Sequence, residues 1–189
     1  ERDFTLMLGP HRVRGRIVAD LFKRHRDGLG KHGHPFVPSW FEENPSRYNI
    51  HDQALLLMLF TLEGAVWGSS DARGAAQAVA NALLDLQGQI TEGAGRWYDD
   101  YLDRPEGSGL VPMVESSSTV GNVAWVVMAL DLYRDLLPPS PRKPIDGAIA
   151  LGADWLENKI DEFAAGGHVV GAITEGTQGN LSTFFALVA

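Results

Sequence analysis

The stretch IHDQALLLMLF, residues 50–60, is the part of this chain that decides its fold. After a short polar start it is apolar on nearly every side, which is typical of a helix buried all round. Two later stretches repeat the pattern: VGNVAWVVMAL, residues 120–130, and NLSTFFALVA, residues 180–189. We therefore expect three inner helices of the same kind.

The polar starts of these three stretches can be aligned. Asp52, Asn122 and Asn180 then occupy equivalent positions, each where its helix is predicted to begin. A short polar side chain there can accept hydrogen bonds from backbone N–H groups that have no partner within the helix. We therefore predict that these three residues are N-caps.

Each complete inner helix is followed by an amphipathic one. Residues 52–62 and 71–88 are predicted to form one hairpin, in which Asp71 would cap the second helix, and residues 120–136 and 145–160 a second hairpin. Such alternation, with a period of roughly 60 to 70 residues, is typical of a closed toroid or an α-solenoid. The predicted fold class is all-α, with repeated helical hairpins forming part of an (α/α) toroid.

The chain is expected to have two parts. Residues 1–47 would hold an N-terminal helix, over residues 13–26 and ended by Gly28 and Gly30, followed by an aromatic-rich loop. Residues 48–189 would form the toroid segment as one compact unit. We expect that unit to be incomplete, because the sequence provides two full hairpins and part of a third.

Composition restricts the classes of partner. With 44% hydrophobic and 21% charged residues, the chain has the mixture of a soluble globular domain. Its net charge of -8 disfavours a nucleic-acid partner, since phosphate binding requires a surplus of basic residues. The absence of cysteine excludes disulfides, thiolate metal ligands and cysteine nucleophiles. The apolar runs are shorter than the ~20 residues of a membrane-spanning helix.

The helix starts resemble those of bacterial (α/α)6 toroid proteins of the six-hairpin glycosidase type. The strings that carry the resemblance are NIHDQAL at 49–55, VGNVAW at 120–125 and TEGTQGNL at 174–181, and the similarity covers residues 48–189. The family's third string is typically Thr-Glu-His-Asn, whereas this chain has two extra residues and no histidine there. This toroid hosts hydrolases, lyases and noncatalytic relatives. The resemblance therefore implies an architecture and a carbohydrate ligand, but it does not single out a particular reaction.

Glycoside hydrolysis normally requires two carboxyl groups, one as acid and one as base or nucleophile. Inner-helix starts gather at one end of a toroid, so the catalytic candidates are Asp52 and Glu175, with Glu115 third. The alternative interpretation is structural. Asp52 would then cap its helix, Glu115 would be solvated in a Ser-rich loop, and Glu175 would interact with a helix dipole.

A predicted polar loop, residues 93–118, supplies the candidate substrate-binding residues. Aromatic faces pack against sugar rings while neighbouring carboxylates bind hydroxyl groups, although the same aromatics could simply anchor the loop. The full set of predicted substrate-binding residues is Trp97, Tyr98, Asp99, Asp100, Tyr101, Trp125, Asn122, Asn180 and His51.

Two function classes therefore remain. The first is a glycoside hydrolase acting on an oligosaccharide or polysaccharide, and the second is a noncatalytic helical-repeat module that binds a glycan, a protein partner or a second subunit. A polysaccharide lyase is disfavoured because the site region is acidic. No cofactor is expected, and no metal, because His32, His34 and His51 lack a compact set of further ligands.

Overall fold

The computed structural model describes residues 2–39, 46–90, 94–105, 109–137, 142–165 and 186. These residues form helices and short strands in the following order: α1 (Arg2–Lys31), β1 (Arg47–Asn49), α2 (Ile50–Val66), α3 (Ser70–Gly88), β2 (Asp100–Asp103), β3 (Leu110–Pro112), α4 (Val120–Leu136) and α5 (Lys143–Ala165).

The two predicted hairpins are present. Helices α2 and α4 pack against each other, α3 packs against α2, and α5 packs against α4. The mainly helical fold class is thereby confirmed. The third predicted hairpin lies outside the described residues, apart from Ala186, which is helical and buried. No helix in the described part of the chain is both long and apolar enough to span a membrane.

Helix α1 joins this core through an aromatic contact. The ring of Phe22 stacks on that of Phe60 at 4.7 Å, and His25 meets Phe60 edge-on at 5.3 Å. The side chain of Phe60 is fully buried, so replacing it by alanine would cost about 3 to 5 kcal/mol of stability.

Both predicted bounds of α1 were wrong, since the helix begins at Arg2 and not at residue 13. The helix continues through Gly28 and Gly30 to Lys31. Gly28 is required for a different reason: a Cβ atom there would lie 2.8 Å from the carbonyl oxygen of His34 and 2.9 Å from that of Phe36. Glycine therefore lets the following loop pack directly against the helix.

The predicted N-caps were also wrong by a few residues. Asn49 caps α2, accepting a hydrogen bond from the His51 N–H at 3.1 Å. Ser69 caps α3, accepting from the Ala72 N–H at 3.2 Å, while Asp71 lies in the first turn. Helix α4 begins as predicted, but its N-cap residue is Thr119, whose side chain makes no capping bond.

A small antiparallel sheet, in the order β1-β2-β3, was not predicted. Tyr101 is its centre and pairs with Tyr48 on one side and Pro112 on the other. Strands of three or four residues carry too little alternation to be recognised in a sequence. The sheet lies beside the helix starts, because the Ile50 N–H at the beginning of α2 bonds to the Asp99 carbonyl at 2.8 Å.

Candidate functional site

The N-terminal ends of α2 and α4 are in contact through the side chains of His51 and Trp125. The rings of His51 and Trp125 lie edge to face, with centroids 5.3 Å apart. Asp52 and Asn122 are each the third residue of their helices, so the register expected from the sequence holds. Two predicted catalytic or binding positions are therefore brought to the same end of the helix pair.

The carboxylate of Asp52 is accessible. Its side chain is 47% exposed, and its Oδ1 atom lies 3.9 Å from His51 Nδ1, beyond hydrogen-bond distance. A carboxylate in the first turn also interacts favourably with the positive end of the helix dipole. Asp52 is thus free to accept hydrogen bonds from a ligand, without being the N-cap of α2.

Asp99 has a different environment. Its buried carboxylate accepts hydrogen bonds from the Thr119 N–H at 2.8 Å and hydroxyl at 3.0 Å. It also accepts from the Ser117 hydroxyl and the Asn122 amide, each at 2.8 Å. Asp99 therefore holds the N-cap residue of α4 in place, and it occupies the amide of Asn122 in doing so.

Asp100 is similarly engaged at the start of α2. Its carboxylate accepts a bidentate pair of bonds from the Arg47 guanidinium, at 2.8 and 3.2 Å, and a third from the Asn49 amide at 3.1 Å. The hydrogen bond to Asp100 raises the pKa of Arg47. Asp100 thereby fixes the residue that caps α2.

The aromatic residues predicted as a substrate wall do not form one. Trp97 is 0% exposed, and its indole N–H donates to the Leu83 carbonyl at 2.7 Å. Tyr101 is buried as well; burial raises its pKa, and its hydroxyl accepts from the Tyr98 N–H at 3.0 Å. In this structure these rings anchor the segment to the core, as the alternative interpretation proposed. Only Tyr98 is partly exposed, with the Arg96 guanidinium 5.5 Å from its ring centre.

A second polar cluster was missed by sequence reasoning. Asp103 accepts hydrogen bonds from the His34 Nε2–H at 2.8 Å and the Tyr48 hydroxyl at 3.1 Å, and its other oxygen lies 3.1 Å from His32 Nδ1. The Phe36 N–H bonds to His34 Nδ1, which places the His34 proton on Nε2. The spacing of the two histidines was visible in the sequence, but nothing there linked them to an aspartate 69 residues away from His34.

The electrostatics of this cluster favour a neutral His34 and a charged Asp103. Burial lowers the pKa of His34 more than its bond to Asp103 raises it. Burial alone would raise the pKa of Asp103, but the hydrogen bonds from His34 and Tyr48 leave it lowered. Among the residues that the structure describes, no group of three or more potential ligands is arranged to hold a metal ion.

Three candidates remain: Glu115, Glu175 and Asn180. Glu115 is exposed in the segment between β3 and α4. Glu175 and Asn180 lie outside the described residues.

Comparisons of the chain with protein-family models, curated proteins and solved structures gave no match. Functional conclusions therefore depend on the chemistry of the residues at the two helix starts.

Proposed function

We propose that the N-terminal ends of α2 and α4 form the substrate site of a carbohydrate-active protein. In this proposal the chain is part of an (α/α) toroid related to the six-hairpin glycosidases and acts as a glycoside hydrolase on an oligosaccharide or polysaccharide. The observation that supports it is the accessible Asp52 carboxylate beside the ring pair of His51 and Trp125. Rings of this kind pack on the apolar face of a sugar, while a carboxylate accepts bonds from its hydroxyl groups.

The proposed catalytic pair is Asp52 with Glu175, and Glu115 is the substitute for the second position. Asp99 and Asp100 are poor candidates, because each already accepts three or more hydrogen bonds that hold a helix start. Carboxyl groups about 5 Å apart would support a retaining mechanism, and about 6.5 to 9.5 Å an inverting one.

The test is product release from a broad panel of oligosaccharides and polysaccharides, followed by mass spectrometry. Asp52→Asn and Glu175→Gln should each lower the rate at least about a hundredfold, the range in which general acid–base residues contribute. Asp71→Asn is the matched control, because Asp71 is also an exposed carboxylate in a first helical turn. Equal rates in Asp52→Asn and Asp71→Asn would refute the catalytic assignment.

A second candidate function is a noncatalytic helical-repeat module that binds a protein partner or a second subunit. The apolar side chains that favour it lie along one side of α2: Leu55, Leu62 and Val66 are 41%, 37% and 63% exposed, and Trp67 follows at 52%. Exposed apolar surface of this kind marks interaction sites when it is contiguous. Analytical ultracentrifugation would then detect self-association that Val66→Lys weakens. In the glycan panel, the protein would release no product, whether or not it retains a glycan.

A further inference from the structure

A cavity of about 230 Å³ lies between α1, residues 37–39 and the first turns of α2. Most of its lining is aliphatic. An apolar cavity of about 150 Å³ is enough to bind benzene, so this one has room for a short hydrocarbon chain. The aliphatic side chains that matter here are Leu21, Val37, Leu55, Leu56 and Leu59.

The wall of the cavity is held in place before any ligand arrives. The buried amide of Gln53 bonds to both backbone groups of Val37, accepting from its N–H at 3.0 Å and donating to its carbonyl at 2.8 Å. The Ser39 hydroxyl accepts from the Asn49 N–H at 2.8 Å. Because these bonds fix the loop against α2, little ordering would be needed on binding.

Among the described residues that line the cavity, the ionisable one is acidic. Asp52 lines it and is the accessible carboxylate of the candidate site. None of the described residues that line the cavity is basic. Gln53 has both of its amide groups occupied by Val37, and the Ser39 hydroxyl is neutral, so among the described lining residues the charged group that can face a ligand's charged end is the Asp52 carboxylate. Charge complementarity therefore selects a cation attached to an apolar chain.

We propose that this cavity binds aliphatic primary amines, with the hydrocarbon chain among the leucines and the ammonium group at the Asp52 carboxylate. An amphipathic cation can bury its carbon chain while its charged end remains near water. The assignment goes beyond the proposed hydrolase function and shares only Asp52 with it. Its test requires no sugar.

The test compares three probes with the same six-carbon chain: hexylamine, hexan-1-ol and hexanoate. Each is titrated at pH 8, where an ordinary histidine is neutral and a primary amine is charged. Methyl ¹³C NMR of Val37, Leu56 and Leu59 reports occupancy. We expect hexylamine to bind roughly two- to fivefold more tightly than hexan-1-ol, as suits a partly exposed ion pair, and hexanoate to bind more weakly than both.

Two substitutions separate the contributions of charge and cavity. Asp52→Asn should reduce hexylamine binding to the level of hexan-1-ol and leave hexan-1-ol unchanged. Leu55→Gln should weaken all three probes, whereas Leu62→Gln should not, since Leu62 is similarly exposed on α2 but does not line the cavity.

The proposal would be overturned if the methyl signals of Val37, Leu56 and Leu59 do not shift, or if hexanoate binds as tightly as hexylamine. It would also be overturned if the Leu55→Gln and Leu62→Gln variants bind the probes with equal affinity. Failure of the glycan panel would count against the hydrolase proposal alone. Conversely, glycan cleavage without hexylamine binding would remove the amine site and leave the hydrolase proposal standing.

Discussion

The starts of α2 and α4 share a register, but different groups stabilise the first turn of each helix. Helix α2 is capped by its own neighbour, Asn49, and the carboxylate of Asp52 remains accessible. The N-cap residue of α4, Thr119, makes no side-chain capping bond and is instead held by Asp99, which also binds the amide of Asn122. Equivalent positions can therefore have different roles: one is available to a ligand, and the other is used to hold the fold.

The largest expected effect separates Asp99 from Asp52. Asp99→Ala would leave donors of Ser117, Thr119 and Asn122 without their acceptor, and we expect it to cost at least about 3 kcal/mol of stability. Asp52→Ala loses a favourable dipole interaction and should cost less than about 1 kcal/mol. Urea denaturation measures both. Equal losses would mean that the two carboxylates do not differ in structural role.

A smaller effect separates the two N-cap residues. Asn49→Ala removes the cap of α2 and a bond to Asp100, so we expect a loss of about 1 to 2 kcal/mol. Thr119→Ala removes a hydroxyl that only bonds to Asp99, while the backbone N–H of residue 119 keeps its partner, and should cost below about 1 kcal/mol. Thermal unfolding of the two variants compares them. The comparison fails if Thr119→Ala is the more damaging change.

The smallest expected effect is a pH dependence on the α2 side, where His34 holds the loop beside β2. Because burial lowers the pKa of His34 in the folded protein, the unfolded chain takes up this proton first as pH falls below about 6.5. The contribution of His34 to the free energy of unfolding is therefore fully present above that pH, and it is lost as the pH falls through the lower folded pKa.

His25 contributes with the same sign, because burial lowers its pKa too. His34→Gln should therefore flatten the decrease in unfolding free energy between pH 7 and pH 5 without abolishing it. Chemical denaturation at a series of pH values makes the measurement. An unchanged slope in His34→Gln would show that this histidine does not contribute.

Local patterns predicted the helices well and their long-range partners poorly. The bounds of α4 were predicted because an apolar run ends before a Pro-rich turn. Asn49 is three residues before the helix start that the pattern suggested, since the pattern marks apolar residues and a cap precedes them. The support of α4 by Asp99 could not be found locally, because Asp99 is 20 residues from Thr119.

The candidate site was also predicted only in part, because part of it depends on long-range contacts. The shared register of Asp52 and Asn122 follows from the repeat, and the structure brings their helix starts together. The burial of Trp97 depends on the carbonyl of Leu83, 14 residues earlier and in another element, which no local pattern reveals. Aromatic and acidic residues next to each other predicted a binding surface, whereas tertiary contacts use most of them for support.

The most direct test of this account is to measure glycan product release and melting temperature together in the wild-type protein and in Asp52→Asn. We predict that product release from the cleaved glycan is lost while the melting temperature changes by no more than about 2 °C, as expected for a surface substitution. Unchanged product release in Asp52→Asn, or a loss of activity that follows a loss of folding, would contradict the division of roles between the two helix starts.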